Sequence, residues 1–306
     1  MSMVRNFLVV SHTAQPDSLE ASAEVCRLLR SAGAIAVLRD TERDAVVAVA
    51  PDLADLAVLG SQVDVSDVEC AIVLGGDGTI LRAAEVLYGA DIPLVGVNLG
   101  RVGFLAEAER SGLTETITRV LARDYAIEKR ATLRVRVKQG AKVVFETWAL
   151  NEAAIEKSAS RMLEVVIEVD RRPLSSFGCD GVVIATPTGS TAYAFSAGGP
   201  VVWPSVNALV VVPLSAHALF ARPLVTGPRS TIAVDIAAHA APGMLTCDGR
   251  RTFELESGSR VVVTTSDVCI TLARMHDGTF TDRLVDKFDL PVMGWRGPKG
   301  SGMSDD

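Results

Sequence analysis

The stretch Ala71-Ile72-Val73-Leu74-Gly75-Gly76-Asp77-Gly78-Thr79 narrows what this chain can fold into more than any other. An apolar run of strand length ends in three closely spaced glycines, and an amphipathic stretch from Ile80 to Leu87 follows. That order predicts strand, tight loop and helix. Glycines let backbone N–H groups come close to a ligand with no side chain in the way. Asp77 is the odd member, because a loop that only holds phosphate gains nothing from a central carboxylate. An acid there predicts chemistry: binding a metal, or taking a proton from a hydroxyl. The plain alternative is a structural turn with Asp77 as helix cap.

The surrounding residues place this unit in a layered α/β fold. Phe7 to Val10, Ile35 to Leu38, Ala71 to Leu74 and Pro93 to Val97 read as strands, and Ser18 to Ala32 reads as a helix stopped by Gly33. Strands alternating with helices predict a mainly parallel sheet, whose ligands bind beyond the carboxyl ends of the strands. Both the Asp77 loop and the Gly96–Phe104 loop sit there. After Asp124 the pattern changes. Thr132 to Val137, Val143 to Ala149, Leu163 to Val169, Ile232 to Ile236 and Arg260 to Thr264 are β-rich, and turn residues separate them. The expected organisation is an α/β domain over 1–125, a mostly antiparallel β-rich domain over 126–273, and a C-terminal segment over 274–306. Its end, from Gly294, is rich in Gly, Ser and charge and is expected to be disordered.

The formal net charge of −7 argues against a general nucleic-acid binder. A few local arginines can still hold an anionic small ligand. Five scattered cysteines without a Cys-x-x-Cys pair read as reduced, mostly buried thiols of a cytosolic protein. Four histidines without ligand spacing give no structural zinc site. No apolar run reaches membrane-spanning length, and no signal peptide is read at the N-terminus. A cytoplasmic protein without membrane partners is the expectation.

The Asp77 loop is neither a Walker A loop nor a dinucleotide fingerprint, since it lacks the spacing of both. A second segment, Asp180-Gly181-Val182-Val183-Ile184-Ala185-Thr186-Pro187-Thr188-Gly189-Ser190-Thr191-Ala192-Tyr193, runs a strand into a turn dense in hydroxyls. Small hydroxyls and backbone amides suit a sugar or phosphate, and Tyr193 offers a flat face for a base. Ser196 opens the next permissive turn, Ser196-Ala197-Gly198-Gly199-Pro200. Asn151-Glu152 ends a β run, and an amide beside a carboxylate can read an adenine edge or ribose hydroxyls. Arg82 and Arg101 are candidates to neutralise transferred phosphate. A solvated surface role is the default for each. Asp248-Gly249 reads as a turn and, more weakly, as another acid of the site.

In this order, Gly-Gly-Asp-Gly-Thr, Asn-Glu and Asp-Gly-x4-Thr-Pro-Thr-Gly-Ser-Thr-Ala-Tyr resemble the NAD kinase family, and Gly96 to Leu105 is similar to a further motif of it. The first motif alone is shared with diacylglycerol and sphingosine kinases. The third is specific. The resemblance implies transfer of the γ-phosphate of ATP, or of a phosphate of inorganic polyphosphate, to the 2′-hydroxyl of the adenosine ribose of NAD. It implies Asp77 as the base. It also implies NAD contacts at Asp77, Gly78, Arg82, Asn151, Glu152, Asp180, Thr191, Ala192, Tyr193 and Ser196, with Thr188 and Asp248 nearby. Gly75, Gly76, Gly78, Thr79 and Arg101 would form the phosphate-donor loop. A divalent cation, Mg²⁺, and a homodimer or homotetramer are implied too, while the metal-binding residues are not identified. Ser176 to Cys179 stand where many members carry an arginine. Two readings compete with this one: a lipid kinase using the same acid loop, and a dinucleotide-binding regulator without catalysis. The hydroxyl-dense loop favours a sugar-bearing acceptor over an acyl chain.

Overall fold

The computed structural model describes residues 4–100, 103–106, 108–158, 160–275 and 279–292. Arg101 and the Gly294–Asp306 tail lie outside them. In the first half, β1 (Asn6–Ser11), β2 (Ile35–Leu38), β3 (Ala57–Val58), β4 (Val68–Leu74) and β5 (Leu94–Asn98) pair in parallel in the order β5-β4-β1-β2-β3. Alternate strand residues feed two cores. Phe7, Val9, Ile72 and Val95 pack against α1 (Pro16–Ser31), α2 (Asp40–Val49) and α4 (Leu113–Ala122). Leu8, Val10, Ala71, Val73 and Leu94 pack against Ile80, Ala83, Ala84 and Leu87 of α3 (Asp77–Leu87). Helices on both faces explain why these strands read as unbroken apolar runs. A short strand, β6 (Ala108–Glu109), extends β5 on its other edge.

The second half is antiparallel. β7 (Ala126–Gln139) and β8 (Lys142–Ala149) form a hairpin. β9 (Glu152–Lys157), β10 (Leu163–Val169), β11 (Arg172–Cys179), β12 (Gly181–Ala185), β13 (Leu209–Leu214), β14 (Leu224–Thr226), β15 (Ile232–Ile236), β16 (Gly243–Cys247), β17 (Arg251–Leu255) and β18 (Ser259–Arg274) follow. Six of them form a sheet in the order β14-β13-β12-β9-β16-β17. Its inner residues, among them Ile155, Val182, Ile184 and Leu245, pack on Leu133, Val135 and Val137 of β7 and on Val261 and Val263 of β18. Short α5 (Tyr193–Ser196) lies against the outer face of this sheet through Ala194, and α6 (Phe280–Phe288) closes the described chain. The fold class read from sequence, a parallel α/β half with an antiparallel β-rich half, is the one found.

The halves are joined more intimately than two separate domains. The 16-residue strand β18 runs beside β7 for its whole length and beside β15 over its first residues. Near its end Leu272 pairs in parallel with Leu94 of β5. One twelve-stranded sheet, β11-β10-β15-β18-β5-β4-β1-β2-β3 with β6, β7 and β8 attached, therefore crosses the whole molecule. β18 covers the strand edge that β5 would otherwise expose. Among the described residues no helix is long and apolar enough to cross a membrane.

Candidate active site

β4 ends at Leu74, and the Gly75 N–H donates to Val97 O at 2.9 Å, so that amide serves the sheet. Gly76 is the extended cap residue, and helix α3 starts at Asp77, three residues earlier than the apolar pattern suggests. A carboxylate in the first helical turn is favoured by the helix dipole. Asp77 does not cap its own helix. Its Oδ2 accepts the Phe104 N–H and its Oδ1 the Leu105 N–H, both at 3.1 Å. Gly103 makes that approach possible, because a Cβ on it would lie 2.5 Å from Asp77 Oδ1. Two of the sequence motifs thus have a shared geometry: residues 103–105, at the end of the second glycine loop, clasp the carboxylate of the Asp77 loop.

Beside Asp77 opens a cleft of about 360 Å³ lined by His12, Gln15, Gly76, Gly78, Thr79, Arg82 and Arg250. The first backbone N–H groups of a helix have no partner inside the helix, and here they meet two guanidinium groups, which suits an anion. Arg82 donates to Ser11 O at 3.3 Å, and burial lowers its pKa below the usual guanidinium range. His12, Gln15 and Arg250 escape a reading from sequence. Arg250 follows the Asp248-Gly249 turn, whereas nothing local marks His12, which follows β1, the strand paired beside β4.

The second wall is built around Asn151 and Glu152, both buried. Gly189 packs so tightly here that a Cβ on it would lie 2.0 Å from Asn151 O. Thr186 N donates to Asn151 O at 2.9 Å, and Thr186 Oγ1 donates to Leu150 O at 2.6 Å. Most hydroxyls of the segment are spent on its own backbone. Ser190 Oγ donates to Pro187 O at 2.7 Å and accepts the Val202 N–H at 2.9 Å, and Thr191 Oγ1 donates to Thr188 O at 3.2 Å. They shape the loop, while its exposed surface comes from Tyr193, Phe195 and Ser196. Tyr193 donates its hydroxyl to Glu156 Oε1 at 2.7 Å, and burial followed by that carboxylate pushes it up to about 12. Ala192 leads into α5. Thr188 is buried and accepts from Arg130 Nη1 at 3.3 Å.

Glu152 is the buried acid of the site. Burial, then the charge of Asp248, pushes its carboxyl up to about 8 against a hydrogen bond from the Tyr193 N–H, and its Oε2 has no partner among the described residues. A carboxyl held neutral near physiological pH can donate as well as accept. Asp248 has a different part. Its Oδ1 accepts the N–H groups of Asn151 at 2.7 Å and Glu152 at 3.3 Å, and its Oδ2 accepts Leu150 N–H at 2.9 Å and Arg251 Nη2 at 2.7 Å. It pins the Asn151-Glu152 turn from behind. Burial raises its carboxyl above the usual range despite those donors. Asp180 stands apart at the start of β12, paired with Lys157, which holds its pKa below the usual carboxylate range.

A charged chain ties the two walls. Glu85 on α3 pairs with Arg251 and, at 3.0 Å, with Arg250; Arg251 in turn holds Asp248. Arg251 also lies over Trp148 at 4.3 Å, and Trp148 stacks on Tyr88 at 3.9 Å. The helix that carries Asp77 is thereby braced against the turn that carries Asn151 and Glu152. Among the described residues no three His, Cys, Asp or Glu side chains gather as a metal cage.

Comparison with known proteins gives the family. The ATP-NAD kinase N-terminal domain matches residues 7–125, and the ATP-NAD kinase C-terminal domain matches residues 150–275. An NAD kinase of Leifsonia xyli subsp. xyli is 59% identical over 302 residues, covering 98% of this chain and 99% of that one. The fold is shared with the yeast NADH kinase complexed with NADH, at TM-score 0.82 and 23% identity over 98% of this chain and 90% of that one. It is shared also with an NAD kinase from Archaeoglobus fulgidus in complex with ATP, at TM-score 0.71 and 21% identity over 94% of this chain and 100% of that one. These matches define the class as a phosphotransferase with a nucleotide substrate. The chain belongs to the NAD kinase family.

Proposed function

We propose that this protein phosphorylates the 2′-hydroxyl of the adenosine ribose of NAD with ATP, giving NADP, and that Asp77 accepts the hydroxyl proton. The observation that carries this reading is the fixed position of the Asp77 carboxylate, held by the Phe104 and Leu105 N–H groups, on a loop whose Gly76, Gly78 and Thr79 line a cationic cleft. A ribose hydroxyl is a poor nucleophile, so a base must lie within hydrogen-bond reach as the new P–O bond forms. A loose phosphoryl transition state loses that proton late, so the base contributes mainly through placement.

In this reading the dinucleotide lies along Asn151, Glu152, Thr191, Ala192, Tyr193 and Ser196, with Tyr193 stacking on the base and Asp180 toward the nicotinamide end. Segment 126–273 presents the acceptor and segment 1–125 the donor. Gly76, Gly78, Thr79, Arg82 and Arg250 take the donor phosphates, either of ATP or of polyphosphate. Gly75 contributes conformation, since its N–H is committed to Val97 O. Mg²⁺ would arrive on the donor phosphates, which is its usual manner of binding and needs no cage of side chains. Such a divalent ion neutralises developing phosphate charge. The protein is proposed to act in the cytoplasm as a homodimer or homotetramer.

The test is purified protein with Mg-ATP and NAD, with NADP followed by a coupled dehydrogenase. NADP formation supports the reading. Product only with a lipid alcohol, or NAD binding without ATP consumption, would replace it.

A further inference from the structure

The two residues that clamp Asp77 are themselves gripped from the far side. Phe104 gives its N–H to Asp77 Oδ2 at 3.1 Å, and its carbonyl oxygen accepts Arg283 Nη1 at 2.9 Å. Leu105 gives its N–H to Asp77 Oδ1 at 3.1 Å, and its carbonyl oxygen accepts Arg274 Nη1 at 3.3 Å. Arg274 ends β18 and Arg283 lies on α6. The position of the carboxylate is therefore set by two arginines that never touch it. Donors of this kind are charge-assisted and hold geometry more firmly than neutral ones.

Helix α6 also bridges to the opposite wall. Phe288 lies 5.8 Å from the ring of Phe104 and 4.5 Å from that of Phe195, which sits between Tyr193 and Ser196. Phe280 lies 5.9 Å from Phe104 and 5.1 Å from Trp203. Beneath the helix, Arg274 pairs with Glu128, Glu128 takes Arg130 Nη2 at 3.1 Å, and Arg130 Nη1 reaches Thr188 Oγ1 at 3.3 Å. A continuous path runs from the hydroxyl-rich loop to Asp77. Helix α6 has nine residues, too few to persist alone in water. A Thr279–Asp282 capping box starts it, and Leu284 is its buried side chain. Phe280, Arg283 and Phe288 anchor it to the site.

We propose that α6 is a working strap of the active site and that Arg283 is a positioning residue for Asp77. This rests on the reading of Asp77 as proton acceptor. The strap fixes the 103–105 loop against the 188–196 loop, so that the carboxylate and the bound ribose hydroxyl keep a reactive distance. A strap of this kind affects turnover more than ground-state binding of NAD, because it acts on the base and not on the ribose contacts.

The test uses the full chain with Arg283→Met, which keeps the packed stem and removes the donor, and Arg283→Lys, which restores one. The expected result for Arg283→Met is a kcat about tenfold lower, with the KM for NAD and the calorimetric NAD Kd changed by no more than about threefold. Arg283→Lys is expected to recover kcat to within about threefold of the parent. The strap is overturned by an Arg283→Met kcat within about twofold of the parent, by NAD affinity falling in step with kcat, or by failure of lysine to recover turnover. Asp77→Asn is assayed in parallel. If that variant keeps the parent kcat, the base assignment fails; if it is inactive while Arg283→Met is normal, the strap alone fails.

Discussion

Gly189 and Asn151 pack backbone to backbone, with room for no atom between them: a Cβ on Gly189 would lie 2.0 Å from the Asn151 carbonyl oxygen. Two segments far apart in sequence thus meet as one surface. Gly189→Ala should push the 186–191 turn off the Asn151-Glu152 turn. Overpacking of this kind costs ~1–3 kcal/mol. Denaturant unfolding should show that loss, and calorimetry should show NAD affinity weakened by at least about tenfold. Parent-like affinity would mean that the two turns need not touch for binding.

Asp248 acts through the backbone. A buried donor left without its acceptor costs ~1–3 kcal/mol. Asp248→Ala should destabilise by at least that order in urea unfolding, since it leaves three N–H groups unpaired, while Arg251 keeps Glu85. NAD affinity should fall with it, because the Asn151-Glu152 turn loses its pin. A stability within about 1 kcal/mol of the parent would contradict the role.

Glu152 makes stability depend on pH. Its folded carboxyl sits at about 8, raised from an ordinary value of 4.5 by burial and by Asp248. The folded state therefore keeps a proton that the unfolded state gives up. This contribution to stability is fully present below the unfolded pKa and is lost as pH rises through the window up to about 8. Glu152→Gln removes the dependence. Its Tm should exceed that of the parent at about pH 9 by at least ~3 °C, and the difference should shrink toward about pH 5. Equal Tm differences at both pH values would contradict a buried proton.

Four thiols should be inert. Burial pushes Cys26, Cys70 and Cys247 up to about 12 and Cys179 up to about 11. Native protein treated with a thiolate-selective reagent should label at Cys269 alone, which is partly exposed, and at all five after unfolding. Rapid native labelling of a second cysteine would show that the cores open.

Much of this was legible in the residues. Apolar runs such as Phe7–Val10 and Ile35–Leu38 marked buried parallel strands, because helices cover both sheet faces and no polar alternation is needed. The Asp77 loop and the Asp180–Tyr193 segment stood out because glycine, acid and hydroxyl residues crowd into short spans. What stayed hidden depends on long-range pairing. The parallel pairing of Leu272 with Leu94 joins residues distant in sequence, and no local pattern announces it. Periodicity set the start of α3 at Ile80, since Asp77 and Gly78 carry no apolar signal, yet helix geometry begins at Asp77. The hydroxyls of Thr186, Ser190 and Thr191 each donate to a backbone carbonyl, those of Leu150, Pro187 and Thr188 in turn, a wiring that residue type and spacing alone do not announce. His12 and Arg250 reach the cleft beside the Asp77 loop only through the fold.

The most direct test of the central claim is turnover by Asp77→Asn at saturating NAD and Mg-ATP, set beside its calorimetric NAD Kd. Asparagine keeps an oxygen for the 103–105 loop but accepts no proton at neutral pH. The account predicts a kcat at least about a hundredfold lower, the scale of a lost general base, with NAD still bound within about threefold of the parent affinity. A kcat close to that of the parent would contradict it.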